Sequence, residues 1–116
     1  IEHKGVIPRD LRPLMGNRIF GCDDCQMICP WNRHATAPAA DLLNPRGENI
    51  LPELVSLMRL DDEAFRARFR KSPVRRTGRA GLLRNVAIAI GNSGDSNQIP
   101  LLLHAIGDDE PLIRGH

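Results

Sequence analysis

The segment Cys22-Asp23-Asp24-Cys25-Gln26-Met27-Ile28-Cys29-Pro30 places three cysteines within eight residues and a proline directly after the last. It follows most of the bacterial-type iron–sulfur ligand string C-x2-C-x2-C-x3-C-P, with Ile19 where the first cysteine would stand. Thiolates at such short spacings come from a tight loop, and the following proline is expected to keep the chain from closing early into helix. In two-cluster proteins the last cysteine of each string ligates the other cluster. By that logic Cys22 and Cys25 serve one [4Fe–4S] cluster and Cys29 a second. A cubane takes four thiolates and the sequence holds three cysteines, so the remaining ligands are expected outside it.

Other uses of the cysteines have to be weighed. Zinc also uses C-x2-C, and His34, five residues after Cys29, would complete a Cys3His set. The C-x3-C-P ending is unusual for zinc and ordinary for ferredoxin-type sites. A thioredoxin-like dithiol would want strand context, which the flanks lack. A disulfide staple would leave one of three cysteines over, and no secretory signal is present. Iron–sulfur leads, zinc follows, and the staple comes last.

The 116 residues suffice for one domain or two very small ones. The hydrophobic fraction is 41% but aromatics are only 3%, so a core must come from Leu, Ile, Val and Ala. That suits packed helices better than a sandwich. No stretch is apolar enough to cross a bilayer, so no membrane partner is expected. Net charge is only +2, but Arg66, Arg68, Arg70, Lys71, Arg75, Arg76, Arg79 and Arg84 fall in one window of 19 residues free of Asp and Glu. Single arginines mostly make a solvated helix face. A run this dense repels itself unless an anion approaches, and nucleic-acid phosphate is the commonest such partner.

The expected class is mostly α, with a ferredoxin-like iron–sulfur ligand segment over residues 1–34 and a linker over 35–48. A helical-repeat domain follows over 49–116. Pro8 to Met15 reads as a short helical turn stopped at Gly16-Asn17. Leu51, Leu54, Val55 and Met58 keep helical spacing, and Asp61 offers an N-cap for a helix burying Ala64, Phe65 and Phe69. Ser72-Pro73 should end that helix. The next is expected from Thr77 to Ile90, with Leu82, Leu83, Val86, Ala87 and Ile90 inward and Gly91 as the C′ residue. Leu83-Arg84-Asn85 and Ile113-Arg114-Gly115 echo each other at thirty residues, separated by a Gly-Asp turn, a helix at Ile99 to Leu103 and an acidic turn with Pro111. This is the grammar of a helical-hairpin repeat, in which the arginine should pair with acidic turn residues of a neighbouring unit. One unit and a fraction buries its apolar face poorly, and both ends read as cut.

These features together resemble the epoxyqueuosine reductases. The resemblance is carried by Ile1-Glu2-His3-Lys4-Gly5, by Leu11-Arg12-Pro13-Leu14-Met15-Gly16-Asn17-Arg18-Ile19-Phe20-Gly21-Cys22-Asp23-Asp24-Cys25-Gln26 and by Cys29-Pro30-Trp31-Asn32-Arg33. It is strong over the first third and looser beyond about Asn49. It implies a C-terminal fragment of an enzyme that reduces the epoxide of a modified wobble nucleoside in tRNA to the alkene. It further implies two [4Fe–4S] clusters, a cobalamin and a HEAT-like helical domain truncated at its C-terminus. On this resemblance Cys22, Cys25 and Cys29 are cluster ligands, and the other five cysteines, the cobalamin-binding core and the catalytic acid lie upstream. No catalytic residue falls in this piece, which alone is expected to be inactive. An electron donor of unknown identity, tRNA as partner and a cytoplasmic location follow from the same likeness. Ile19, Phe20, Met27, Ile28 and Trp31 are expected to limit solvent access at the clusters, although ordinary packing would bury them equally. The alternatives are a zinc-binding helical-repeat adaptor, or the ferredoxin-like portion of another cobalamin-dependent reductive enzyme such as a dehalogenase.

Overall fold

The computed structural model describes residues 1–34, 47–50 and 52–116. The α-helices are α1 (Arg12–Met15), α2 (Asp24–Met27), α3 (Leu54–Met58), α4 (Asp62–Arg68), α5 (Gly78–Ser93), α6 (Ile99–Ala105) and α7 (Pro111–Arg114). Turns of 3-10 helix join several of them, and no strand occurs among the described residues. Leu51 and most of the expected linker, residues 35–46, lie outside the described residues; Gly47–Asn49 forms a 3-10 turn.

Helix α5 is the axis of the molecule. Every residue from Gly81 to Ile90 is buried, which marks a helix covered on all sides rather than one with a single apolar stripe. One side carries the main core, where Leu82, Leu83, Val86, Ala87 and Ile90 meet Leu57, Met58, Phe65, Phe69, Ala105 and Ile113. The Phe65 and Phe69 rings lie 5.2 Å apart at 54°, a tilted pair that fills the space beside α5. Ile88 faces a second, smaller cluster with Ile7 and Met15 of the N-terminal segment. The inward residues read from helical spacing are therefore correct but describe only half of the helix.

The caps show why the elements begin where they do. Asp61 Oδ1 accepts the Ala64 N–H at 2.7 Å, satisfying a donor that the first turn of α4 cannot. Asp95 and Glu110 accept from Asn97 and Leu112 in the same way. Two expected boundaries shift. Helix α4 ends at Arg68 with Phe69 at its C-cap, and Ser72 instead caps a separate 3-10 turn, Pro73–Arg76. Helix α5 runs three residues past Ile90, through Gly91, and stops at Gly94, whose φ of 67° is the left-handed conformation that glycine adopts without steric cost. The extra turn is held because Asn92 Nδ2 donates to the carbonyls of Arg12 and Gly16 at 2.8 and 2.9 Å. Glycine lowers helix propensity, and these tertiary bonds outweigh it.

The N-terminal segment is thus strapped along α5. A further strap closes the two ends of the chain: the Ile7 N–H donates to His116 Nε2 at 2.9 Å, while His116 Nδ1 lies 2.7 Å from the Leu112 carbonyl. Only the neutral ring with its proton on Nδ1 makes both bonds. Burial pushes the imidazole below its ordinary pKa, in keeping with that form.

Candidate cluster-ligand loop and basic surface

The cysteine loop hangs from the body of the molecule at Ile19 and Phe20, which pack against the main core. Gly21 then takes φ 57°, and Asp23 follows in the left-handed region at φ 54°. That reversal aims the Asp23 carbonyl at the Gln26 and Met27 N–H groups, which donate at 2.8 and 2.9 Å and start α2. A single helical turn therefore separates Cys22 from Cys29 and carries Cys25 on its first residues. Helix α2 stops at Met27, before Pro30, and Pro30 opens a separate 3-10 turn, Pro30–His34, where its missing N–H costs nothing. Asn32 Nδ2 reaches back to the Gln26 carbonyl at 2.8 Å and closes the loop. This tie was not foreseen from the sequence, although Asn32 sits in the Pro-Trp-Asn phrase that follows the cysteines.

All three cysteines are free, Cys22 and Cys25 exposed and Cys29 half-buried. Among the described residues no three His, Cys, Asp or Glu side chains converge as ligands of one ion, so the Cys3His arrangement with His34 is not assembled. Asp23 and Asp24 act within the turn: Asp23 accepts from the Gln26 amide and Asp24 pairs with Arg18 at 3.3 Å in the open. Met27, Ile28 and Trp31 are 80%, 82% and 85% exposed. Of the five apolar residues expected to limit solvent access, Ile19 and Phe20 are packed against the body, while these three face solvent in the chain by itself. Three large apolar side chains exposed within five residues of one loop are unusual for a solvated surface.

The basic window divides sharply. Arg66, Arg70, Lys71, Arg75 and Arg76 are exposed, with Arg76 in a loose contact of 3.5 Å to Glu2. Arg68 is half-buried, its Nε donating to Asn49 at 3.1 Å and its guanidinium 5.8 Å from the Phe69 ring. Arg79 is committed: Nη2 meets Asp108 Oδ2 at 2.6 Å, Nη1 meets Oδ1 at 3.3 Å, and Nε donates to the Leu60 carbonyl at 2.7 Å. The bidentate bond holds the Asp108 carboxyl below its usual range and raises the guanidinium correspondingly. It borders a cleft of about 630 Å³ also lined by Asp61, Asp62, Asp109 and Glu110, a setting that repels phosphate.

Arg84 must be withdrawn from the nucleic-acid surface altogether, because it is wholly buried. Nη1 donates to the His3 and Gly5 carbonyls, each at 2.6 Å, and Nη2 to the Ile1 carbonyl at 3.1 Å. Nε and Nη2 also reach Asn85 Oδ1. The repeat logic expected this arginine to meet acidic turn residues. Arg79 does so instead, five positions earlier on α5, while Arg114 Nη1 donates to the backbone carbonyls of Asp108 and Asp109 at 2.9 Å.

Residues 1–32 match the family model of a 4Fe-4S double cluster binding domain. The whole chain aligns with epoxyqueuosine reductases from Pseudomonas aeruginosa at 47% identity, covering 32% of that protein, and from Shigella dysenteriae at 44%, covering 31%. Over its whole length the chain is similar to the epoxyqueuosine reductases. An epoxyqueuosine reductase solved with an epoxyqueuosine-modified tRNA-Tyr stem loop superimposes on 98% of the chain with a TM-score of 0.86 at 30% identity, and the match covers 31% of that protein. The chain thus spans about a third of the length of these reductases. No helix among the described residues is long and apolar enough to cross a membrane.

Proposed function

We propose that this chain supplies thiolate ligands to two [4Fe–4S] clusters of a reductase that converts epoxyqueuosine to queuosine at the tRNA wobble position, and that its helical half carries part of the RNA-binding surface. The observation that carries the first part is the position of Cys22, Cys25 and Cys29, all unpaired, within the stretch matched by the double-cluster family. The donor set fits the group. Soft thiolates are what iron–sulfur clusters take, and three that do not converge on one point suit clusters completed by ligands from elsewhere. When bound, such clusters supply electrons one at a time. Removing an epoxide oxygen as water takes two electrons and two protons. The role of this chain is to hold the ligands on a loop whose turn is set by Gly21 and Asp23 and closed by Asn32. The exposed Met27, Ile28 and Trp31 would limit water at the clusters when covered by another part of the protein. The reductase is proposed to carry a cobalamin as well, and no residue of this chain is assigned to it. Catalysis in the cytoplasm, with an electron donor outside this chain, completes the reading.

The intact gene product, purified without oxygen, should be brown and contain iron and acid-labile sulfide in equal amounts. A colourless protein with stoichiometric zinc would reverse the assignment.

For RNA, the exposed Arg66, Arg70, Lys71, Arg75 and Arg76 are the proposed phosphate-binding residues, on the surface of a HEAT-like array that begins with α3. The packing of α3 and α7 on α5, and of α6 on α3, supports stacked hairpins. Replacing Arg70, Arg75 and Arg76 together with alanine should weaken binding of the stem-loop RNA. The slope of log K against log salt should fall by roughly 0.7–0.9 for each phosphate that is no longer neutralised. Arg79→Ala should leave the slope nearly unchanged, because Asp108 already neutralises that guanidinium. Equal slopes for wild type and the triple variant would remove this surface from the proposal.

A further inference from the structure

The structure assigns Arg84 and Asn85, in the middle of α5, as positioning residues for the cysteine loop; the inference rests on the cluster-ligand reading above. Both side chains are completely buried. Between them they bind the segment that leads to the cysteines at both ends. Arg84 takes the carbonyls of Ile1, His3 and Gly5, and Asn85 Nδ2 takes those of Ile1 and Ile19 at 2.9 and 2.8 Å. Asn85 Oδ1 in turn accepts from Arg84 Nε and Nη2 at 3.0 and 2.8 Å, so the pair acts as one unit with its donors aimed at backbone.

Packing alone does not call for this arrangement. A buried guanidinium loses its hydration, and no carboxylate among the described residues compensates it. A leucine or methionine would fill the same helix face without that cost. What the pair adds is direction. Carbonyl oxygens mark the path of the main chain, and five donations to four carbonyls fix that path independently of the side chains it carries. The path matters because Ile19 lies three residues before Cys22, within roughly 11 Å along even a fully extended chain. Residues 17–23 form no helix of their own that would set the direction. Ligand atoms must be placed to within a few tenths of an ångström to hold a metal centre well. The central helix of the second half of the chain therefore sets the geometry of the thiols in the first.

The test uses the intact gene product purified without oxygen, with Arg84→Lys, Arg84→Met and Asn85→Ser. Three quantities are read: iron and sulfide per chain, the electron paramagnetic resonance line shape after reduction, and amide hydrogen exchange of the metal-free protein. Asn85→Ser releases the Ile19 carbonyl, so exchange over residues 19–22 should quicken about tenfold while α6 is unaffected. The reduced spectrum should broaden and the iron content fall. Arg84→Met should show the larger effect, with Arg84→Lys between it and wild type, because an ammonium keeps the charge but cannot span three carbonyls. If Arg84→Met does not fold, Asn85→Ser and Arg84→Lys carry the test. Variants that are merely less stable, with wild-type iron content and line shape and no local change in exchange, would overturn the assignment. An iron-free wild type would instead sink the cluster reading, and the exchange data would still report whether the pair holds the loop.

Discussion

Cys22→Ala in the intact gene product is expected to lose about half of the bound iron and sulfide, because in the proposed arrangement Cys22 and Cys25 serve one of two clusters. Cys25→Ala should match it. Cys29→Ala should remove the other half, and its residual spectrum should differ from that of the Cys22 variant. Turnover should fall by more than about 100-fold in each case, since even residues that only support a metal ligand cost roughly 10–100-fold when lost. Serine at position 22 retains a weak oxygen ligand and should keep some cluster. The loop geometry makes the experiment clean. Cys22 and Cys25 are exposed, so their truncation leaves no cavity, and the folded helical part should melt unchanged. Identical iron content in Cys22→Ala and wild type would refute the ligand assignment, whatever happened to activity.

Leu83→Ala should be the most destabilising single truncation of the helical part, at about 2–5 kcal/mol. Leu83 is fully buried on α5 at the centre of the main core. It stands next to Arg84 on a helix with no solvent-facing side between Gly81 and Ile90. Because α5 is packed on all sides, the cavity cannot be filled by a shift of the helix without loosening the Arg84 and Asn85 bonds on its other face. The loss should therefore appear both as a lower urea midpoint and as faster amide exchange in residues 1–20. Leu103→Ala is the control: its side chain is 62% exposed, and the change should stay within about 0.5 kcal/mol. Comparable losses in the two variants would show that α5 is not the axis described.

Several elements could be read directly from local patterns. The Asp61 cap, the apolar spacing behind it and the burial of Leu82, Leu83, Val86, Ala87 and Ile90 depend on neighbours within a few turns, where helix geometry dictates which side chains share a face. The limits of that reading are equally specific. The local pattern ends α5 at Ile90, with Gly91 as the C′ residue. The helix continues because Asn92 finds two carbonyls that lie 76 and 80 residues away in sequence. The eight basic residues looked alike in the chain, yet they belong to different environments. Five face solvent, Arg68 is half-buried against Asn49, Arg79 pairs with an aspartate 29 residues away, and Arg84 is sealed in the interior. Charge density along a sequence does not encode which guanidinium has a partner.

The chemistry proposed for this protein is legible in a few adjacent letters, thiols at fixed spacing with a proline behind them, because metal ligation in a tight loop depends on local chain geometry. Helical class followed from apolar periodicity for the same reason. Folding in three dimensions decided the rest. It made the second half of the chain the support of the first, converting an arginine that composition assigned to a phosphate surface into a buried clamp on backbone carbonyls. That outcome depends on contacts between residues about eighty positions apart, and no local pattern of side chains specifies which distant main-chain oxygen a donor will meet.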